Sequence, residues 1–96
     1  MAGWSFLTNH AYVLLRVGQH PNSTLREIAA YAGITDRAAS SILRLLEADS
    51  LISRTKRGRK MHYTVDIDAV FSHRTQGGLT VRELVTLLDG LMPPGR

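Results

Sequence analysis

Arg37, Ser40, Ser41 and Arg44 share one short stretch of the chain, and Arg54, Lys56, Arg57, Arg59 and Lys60 crowd into the next. Guanidinium and ammonium groups hold phosphate oxygens, guanidinium forks also read guanine edges, and short hydroxyl side chains let a backbone come close to a surface. The chemistry on offer is noncovalent recognition of a polyanion. Five of the twelve Lys and Arg residues fall between positions 54 and 60 with no acid among them, leaving seven against eight acids elsewhere. The net charge of +4 is therefore concentrated in one segment.

Bond-making chemistry has little to work with. There is no cysteine nucleophile, no phosphate-cradling glycine loop and no evident pair of carboxylates, since Asp66 and Asp68 read as turn residues. His10, His20, His62 and His73 lack ligand-like spacing, so neither a metal nor a cofactor is expected and the chain does not read as an enzyme. The absence of cysteine excludes disulfides and fits a reducing, cytoplasmic setting. The opening MAGWSFLTNH has no basic n-region or long apolar run, so no signal peptide is expected, and no window approaches the length of a membrane span. With 96 residues, 44% of them hydrophobic, the chain suits one folded domain.

Two helices joined by a tight turn must carry the first group. Thr24 and Glu27 make a capping box, and Leu25, Ile28, Ala29 and Ala32 recur at helical spacing. Gly33 ends that helix because glycine enters the left-handed conformation without steric cost, Ile34 plugs the turn, and Thr35 caps a second helix. There Ala39, Ile42, Leu43 and Leu46 form the inward stripe, which leaves Arg37, Ser41 and Arg44 facing out with Ser40 at their flank. Small and basic residues on an outward face suit a helix that enters a DNA groove. The second group sits on a hairpin with strands at about 51–55 and 61–65, where Met61, Tyr63 and Val65 alternate with His62 and Thr64 around a turn at Gly58. A hairpin directly after a recognition helix is a wing, and its cations are expected on the phosphate backbone or in the minor groove.

The flanks complete the reading. Thr8 caps a helix running to about His20, with Ala11, Leu14 and Leu15 inward and Val17 nearby, ended by Pro21-Asn22. Trp4 and Phe6, in the arm before it, are read as covering their own core in preference to a partner subunit. Residues 67–79 read as a connector with little periodicity, anchored by Phe71 and broken at Gln76-Gly77-Gly78. A last helix spans 80–92, with a Thr80–Glu83 capping box and a Leu79–Leu84 staple, ended by Gly90 and Pro93-Pro94. Leu84, Leu87, Leu88 and Leu91 give it a broad stripe, read as a homodimer contact in preference to a lid on the core.

The fold class is thus mainly α with a β-hairpin wing (α+β), a winged helix-turn-helix over 1–66 with an additional C-terminal helix. The segments FLTNHAYVLL, LREIAAYAGITDRAASSILRLLEADSLISR and GRKMHYTV resemble the small MarR-like transcriptional regulators of bacteria, especially a short actinobacterial form. The most specific parts are AxxxGIT-x-R over 29–37 and GR-x-x-x-Y over 58–63. The resemblance implies a homodimer that binds semi-palindromic operators through paired recognition helices and wings. It implies a recognition face of Thr35, Arg37, Ser40, Ser41 and Arg44 and a wing contact through Arg54, Arg57, Arg59 and Lys60, and it favours repression over activation. The family pattern usually has a glycine where this chain has Ser50. Larger members carry long additional dimerisation helices around an effector pocket. This chain has one short C-terminal helix, and no small-molecule effector is assigned. The readings left standing beside a double-stranded-DNA regulator are a winged-helix protein-interaction module and a chromosome-organising DNA-binding protein.

Overall fold

In the computed structural model, which describes residues 7–75 and 77–91, four of the five helices begin on a threonine. Thr8, Thr24, Thr35 and Thr80 all adopt extended backbone, and their hydroxyls accept from the amides of Ala11, Glu27, Ala38 and Glu83. Each such cap satisfies an otherwise orphaned donor and contributes about 1 kcal/mol. At Thr24 and Thr80 the N3 glutamate reaches back to the threonine amide, at 2.8 and 3.0 Å, so both expected capping boxes are formed.

The chain falls into two compact units, Met1–Asp66 and Ile67–Arg96. In the first, α1 (Asn9–Gln19), α2 (Leu25–Ala32) and α3 (Asp36–Ala48) precede an antiparallel hairpin of β1 (Ile52–Arg57) and β2 (Lys60–Val65). Ala39, Ile42, Leu43 and Leu46 are all buried, as the period of α3 requires. Ile28 and Ala29 are buried from α2, whereas Leu25 stands exposed in its first turn. The inner seam of α1 differs from the expected one. Val13 and Val17 are fully buried, Ala11 and Leu14 are half-buried, and Leu15 faces solvent. Residues 13 and 17 lie four apart on one face, while Leu15 is rotated to nearly the opposite side. Trp4 and Phe6 lie outside the described residues.

Both ends of the helix-turn-helix close with the same device. Gly33 has φ +73°, its amide donates to Ala30 O, and the Ile34 amide donates to Ala29 O. At the end of α3, Ser50 has φ +62°, its amide donates to Glu47 O, and the Leu51 amide donates to Leu46 O. These are Schellman closures, each with a hydrophobic residue just beyond the left-handed position. Leu51 is buried, which turns the chain from helix into strand over a sealed corner.

The strands run longer than the expected 51–55 and 61–65. Pairing extends from Ile52↔Val65 to Arg57↔Lys60, so the turn shrinks to Gly58-Arg59. Gly58 has φ +62°, the value demanded of the first residue in a two-residue turn of type II′. The hairpin is also tied at its base: the Tyr63 amide donates to Pro21 O at 2.9 Å, and His62 Nδ1 pairs with Asn22 Oδ1 at 2.8 Å.

In the second unit the stretch 67–79 is more than the irregular connector expected. It contains α4 (Ile67–Ser72), six residues long and too short to show a hydrophobic period in the sequence. Val70 is buried, and Phe71 lies half-buried with the Arg82 guanidinium 5.0 Å from its ring centroid. A bridge between Arg74 and Thr80 closes the loop into α5 (Val81–Gly90), and Gly78 within it has φ +86°. Gln76, Pro93 and Pro94 lie outside the described residues. No helix among the described residues is long and apolar enough to cross a membrane.

Candidate nucleic-acid interface

Helix α3 buries one stripe and must therefore present the other. Arg37, Ser41 and Arg44, spaced i, i+4, i+7, are all exposed, and Ser40 is half-buried at the edge. The stripe extends roughly 10 Å along the helix axis. Arg44 Nη2 lies 3.5 Å from Ser41 Oγ, a loose contact that leaves the guanidinium fork open to solvent. Thr35, also exposed, has a structural post as well. Its hydroxyl accepts from the Ala38 amide at 3.1 Å and so fixes where α3 starts, while Arg37 follows two residues later.

The wing sorts its cations by the pleat. Residues opposite one another share a face of the hairpin, and faces alternate along each strand. Arg57 and Lys60 pair directly across the last rung, Lys56 pairs with Met61, and Arg54 pairs with Tyr63. Arg59 occupies the turn itself. Lys56, Arg57, Arg59 and Lys60 are exposed and take no side-chain partner among the described residues. Like charges directly opposite in a sheet repel. The Arg57–Lys60 rung is therefore a small unfavourable interaction in the free protein, which an approaching polyanion relieves. Between this tip and the start of α2 runs an open cleft of about 550 Å³, bordered by Asn22, Thr24, Glu27, Arg59, Lys60 and Met61.

Arg54 is placed otherwise. It sits three rungs below the tip, and its Nε lies 3.2 Å from Glu47 Oε1 in the last turn of α3. The same guanidinium acts by charge and hydrogen bonding on the Tyr63 phenol. Burial nevertheless dominates there and pushes the Tyr63 pKa above its ordinary value of 10.0. Glu47, Asn22 and Pro21 were not apparent as parts of this assembly from sequence, because each acts across 7 to 42 positions of chain: Glu47 on Arg54, Asn22 on His62, Pro21 on Tyr63. The acid seven residues before Arg54 was the one signal available.

Leu84, Leu87 and Leu88 of α5 and Leu91, the residue that caps its C-terminus, are exposed on one face. Leu84, Leu87, Leu88 and Leu91 are 38%, 57%, 46% and 80% exposed, and α5 has no buried residue.

Comparison with protein families gives a match between residues 5–60 and the MarR family, from the arm before α1 to the first residue of β2. Comparison with curated proteins gives no match.

Proposed function

The chain belongs to the MarR family of DNA-binding transcriptional regulators, and on that premise we propose that it is a cytoplasmic homodimer that reads a specific double-stranded operator and represses transcription by occluding a promoter. Helix α3 enters the major groove, with Arg37 and Arg44 as candidate bidentate donors to guanine, each good contact supplying ~1–3 kcal/mol of discrimination. Ser40 and Ser41 let the helix backbone approach. Lys56, Arg57, Arg59 and Lys60 engage phosphates or the minor groove and supply affinity that weakens with salt.

The observation that carries this reading is the wing tip: four cations without side-chain partners among the described residues, two of them opposed across one rung, next to a helix whose outward stripe is Arg-Ser-Arg. A protein-docking winged helix needs no such tip. The dimer rests on the leucine stripe of α5 and on the two-fold symmetry of operator half-sites.

The test is binding to duplex fragments of the encoding genome across a salt series. Wild type should show a log–log slope of about −4 or steeper, and the combined Arg57→Ala, Arg59→Ala, Lys60→Ala variant a shallower one. Fragments recovered at high salt then define the operator, whereas indiscriminate recovery favours chromosome organisation. If folded wild type binds no duplex, α3 is a protein-docking surface. Derepression of a reporter on deletion of the gene supports repression, and loss of transcription refutes it.

A further inference from the structure

Five cations crowd into the wing segment, but one of them is already spoken for inside the protein. Arg54 points back from β1 to the last turn of α3, where Glu47 takes its Nε at 3.2 Å, and it lies across from the Tyr63 side of the hairpin. Both members of the pair are partly shielded, with about two-fifths of each side chain exposed (41% and 38%). The covalent route between the same two elements is the corner at Asp49 to Leu51, whose central residue Ser50 holds a left-handed backbone. Arg54 is also some 10 Å short of the Arg57–Lys60 rung, at about 3.4 Å per residue. A phosphate approaching this guanidinium would also meet the negative charge of the Glu47 carboxylate that holds its Nε.

We infer that Glu47 and Arg54 are positioning residues, an ion-paired strut that sets the angle between recognition helix and wing, and that Arg54 makes no phosphate contact. The inference rests on the DNA-binding reading above and divides the labour within it. Charge at the tip holds the backbone, while the pair at the base fixes where the tip can land relative to Arg37 and Arg44. Specificity, in this arrangement, depends on an acid in the last turn of the recognition helix that binds the wing and not the nucleic acid.

The experiment measures binding to a short mixed-sequence duplex across a salt series, together with amide hydrogen exchange of the hairpin in the free protein. Arg57→Gln and Arg59→Gln should each flatten the log–log slope by ~0.9. Arg54→Gln should weaken binding with the slope unchanged. Arg54→Glu alone should weaken it further and speed exchange along β1 and β2. The charge swap, Glu47→Arg with Arg54→Glu, keeps the net charge and should restore both affinity, to within about twofold, and exchange, as expected for strongly coupled neighbours. The inference is overturned if Arg54→Gln flattens the slope as its neighbours do, or if the swap binds as poorly as Arg54→Glu. Wild type failing to bind the duplex at all overturns the proposed function and with it the division of labour. Hydrogen exchange still decides the strut in that case: rescue by the swap establishes it, and no rescue removes it.

Discussion

Replacing Ser50 by glycine probes how α3 hands over to the wing. Ser50 has φ +62° and is exposed, and its backbone closes the helix by donating to Glu47 O. An L-residue in this region loses roughly 1–2 kcal/mol to the clash of Cβ with its own carbonyl. Glycine escapes that cost but gives up ~0.5–1 kcal/mol more backbone freedom on folding. The net expectation for Ser50→Gly is a stabilisation of about 0.5–1 kcal/mol, or a Tm rise of roughly 2–8 °C for a domain of this size. Urea unfolding followed by circular dichroism should give a higher midpoint at unchanged m. Gly33→Ala is the mirror experiment. A Cβ built there meets nothing within 4 Å, so the φ of +73° is the whole penalty and the fold should lose about 1 kcal/mol. If Ser50→Gly leaves the midpoint where it was or lowers it, the left-handed cost has been misassigned and the corner is held by something other than the Schellman closure.

Acid should weaken both capped helices. Backbone and side-chain hydrogen bonds from Thr24 and Thr80 hold the Glu27 and Glu83 carboxyls below the ordinary 4.5, so their stabilising contribution is complete above that value and is lost as pH falls through the lowered range. Glu27→Gln with Glu83→Gln should flatten this part of a pH-dependent melt, and an unchanged profile would contradict it. Thr35→Ala should cost about 1 kcal/mol by removing the cap of α3, and it should leave the salt slope of DNA binding unchanged, because an uncharged hydroxyl releases no counterions. Leu84→Glu with Leu88→Glu should convert a dimer to a folded monomer by light scattering at micromolar concentration. A wild type that is already monomeric there would remove the homodimer from the proposal.

Local devices were readable from residue type and offset alone. Threonine three places before glutamate and glycine after an apolar run each name their geometry, and Thr24, Thr80 and Gly33 took it, whereas the turn at Gly58 was located but drawn wider than the two residues it has. The stripe of α3 was readable because four buried positions repeat over a helix of thirteen residues. What escaped was either too short or too distant. Six residues of α4 hold less than two turns, and Val13 carries no mark that sets it apart from Leu14 and Leu15 beside it. Ser50 shows the middle case. A glycine-like post filled by serine gives no sign in composition, and only the resemblance to a family pattern pointed to the position. The site divided the same way: charge located the wing, but the partner of Arg54 lies on another element, where no local rule reaches.

The tie between Tyr63 and Pro21 has a consequence for how such a protein can change over evolutionary time. A two-stranded ribbon is marginal in isolation, yet here its base is pinned to the body by that amide, by His62 with Asn22, and by the buried Ile52. Everything beyond Thr55 and His62 can then vary as a cassette. Adding one rung moves the turn outward by about 3.4 Å and points its arginine at the opposite face, while adding two moves it about 7 Å and restores the facing. Insertions at the tip should therefore be accepted in pairs of rungs, each pair lengthening the reach along the duplex without disturbing the helices that read it.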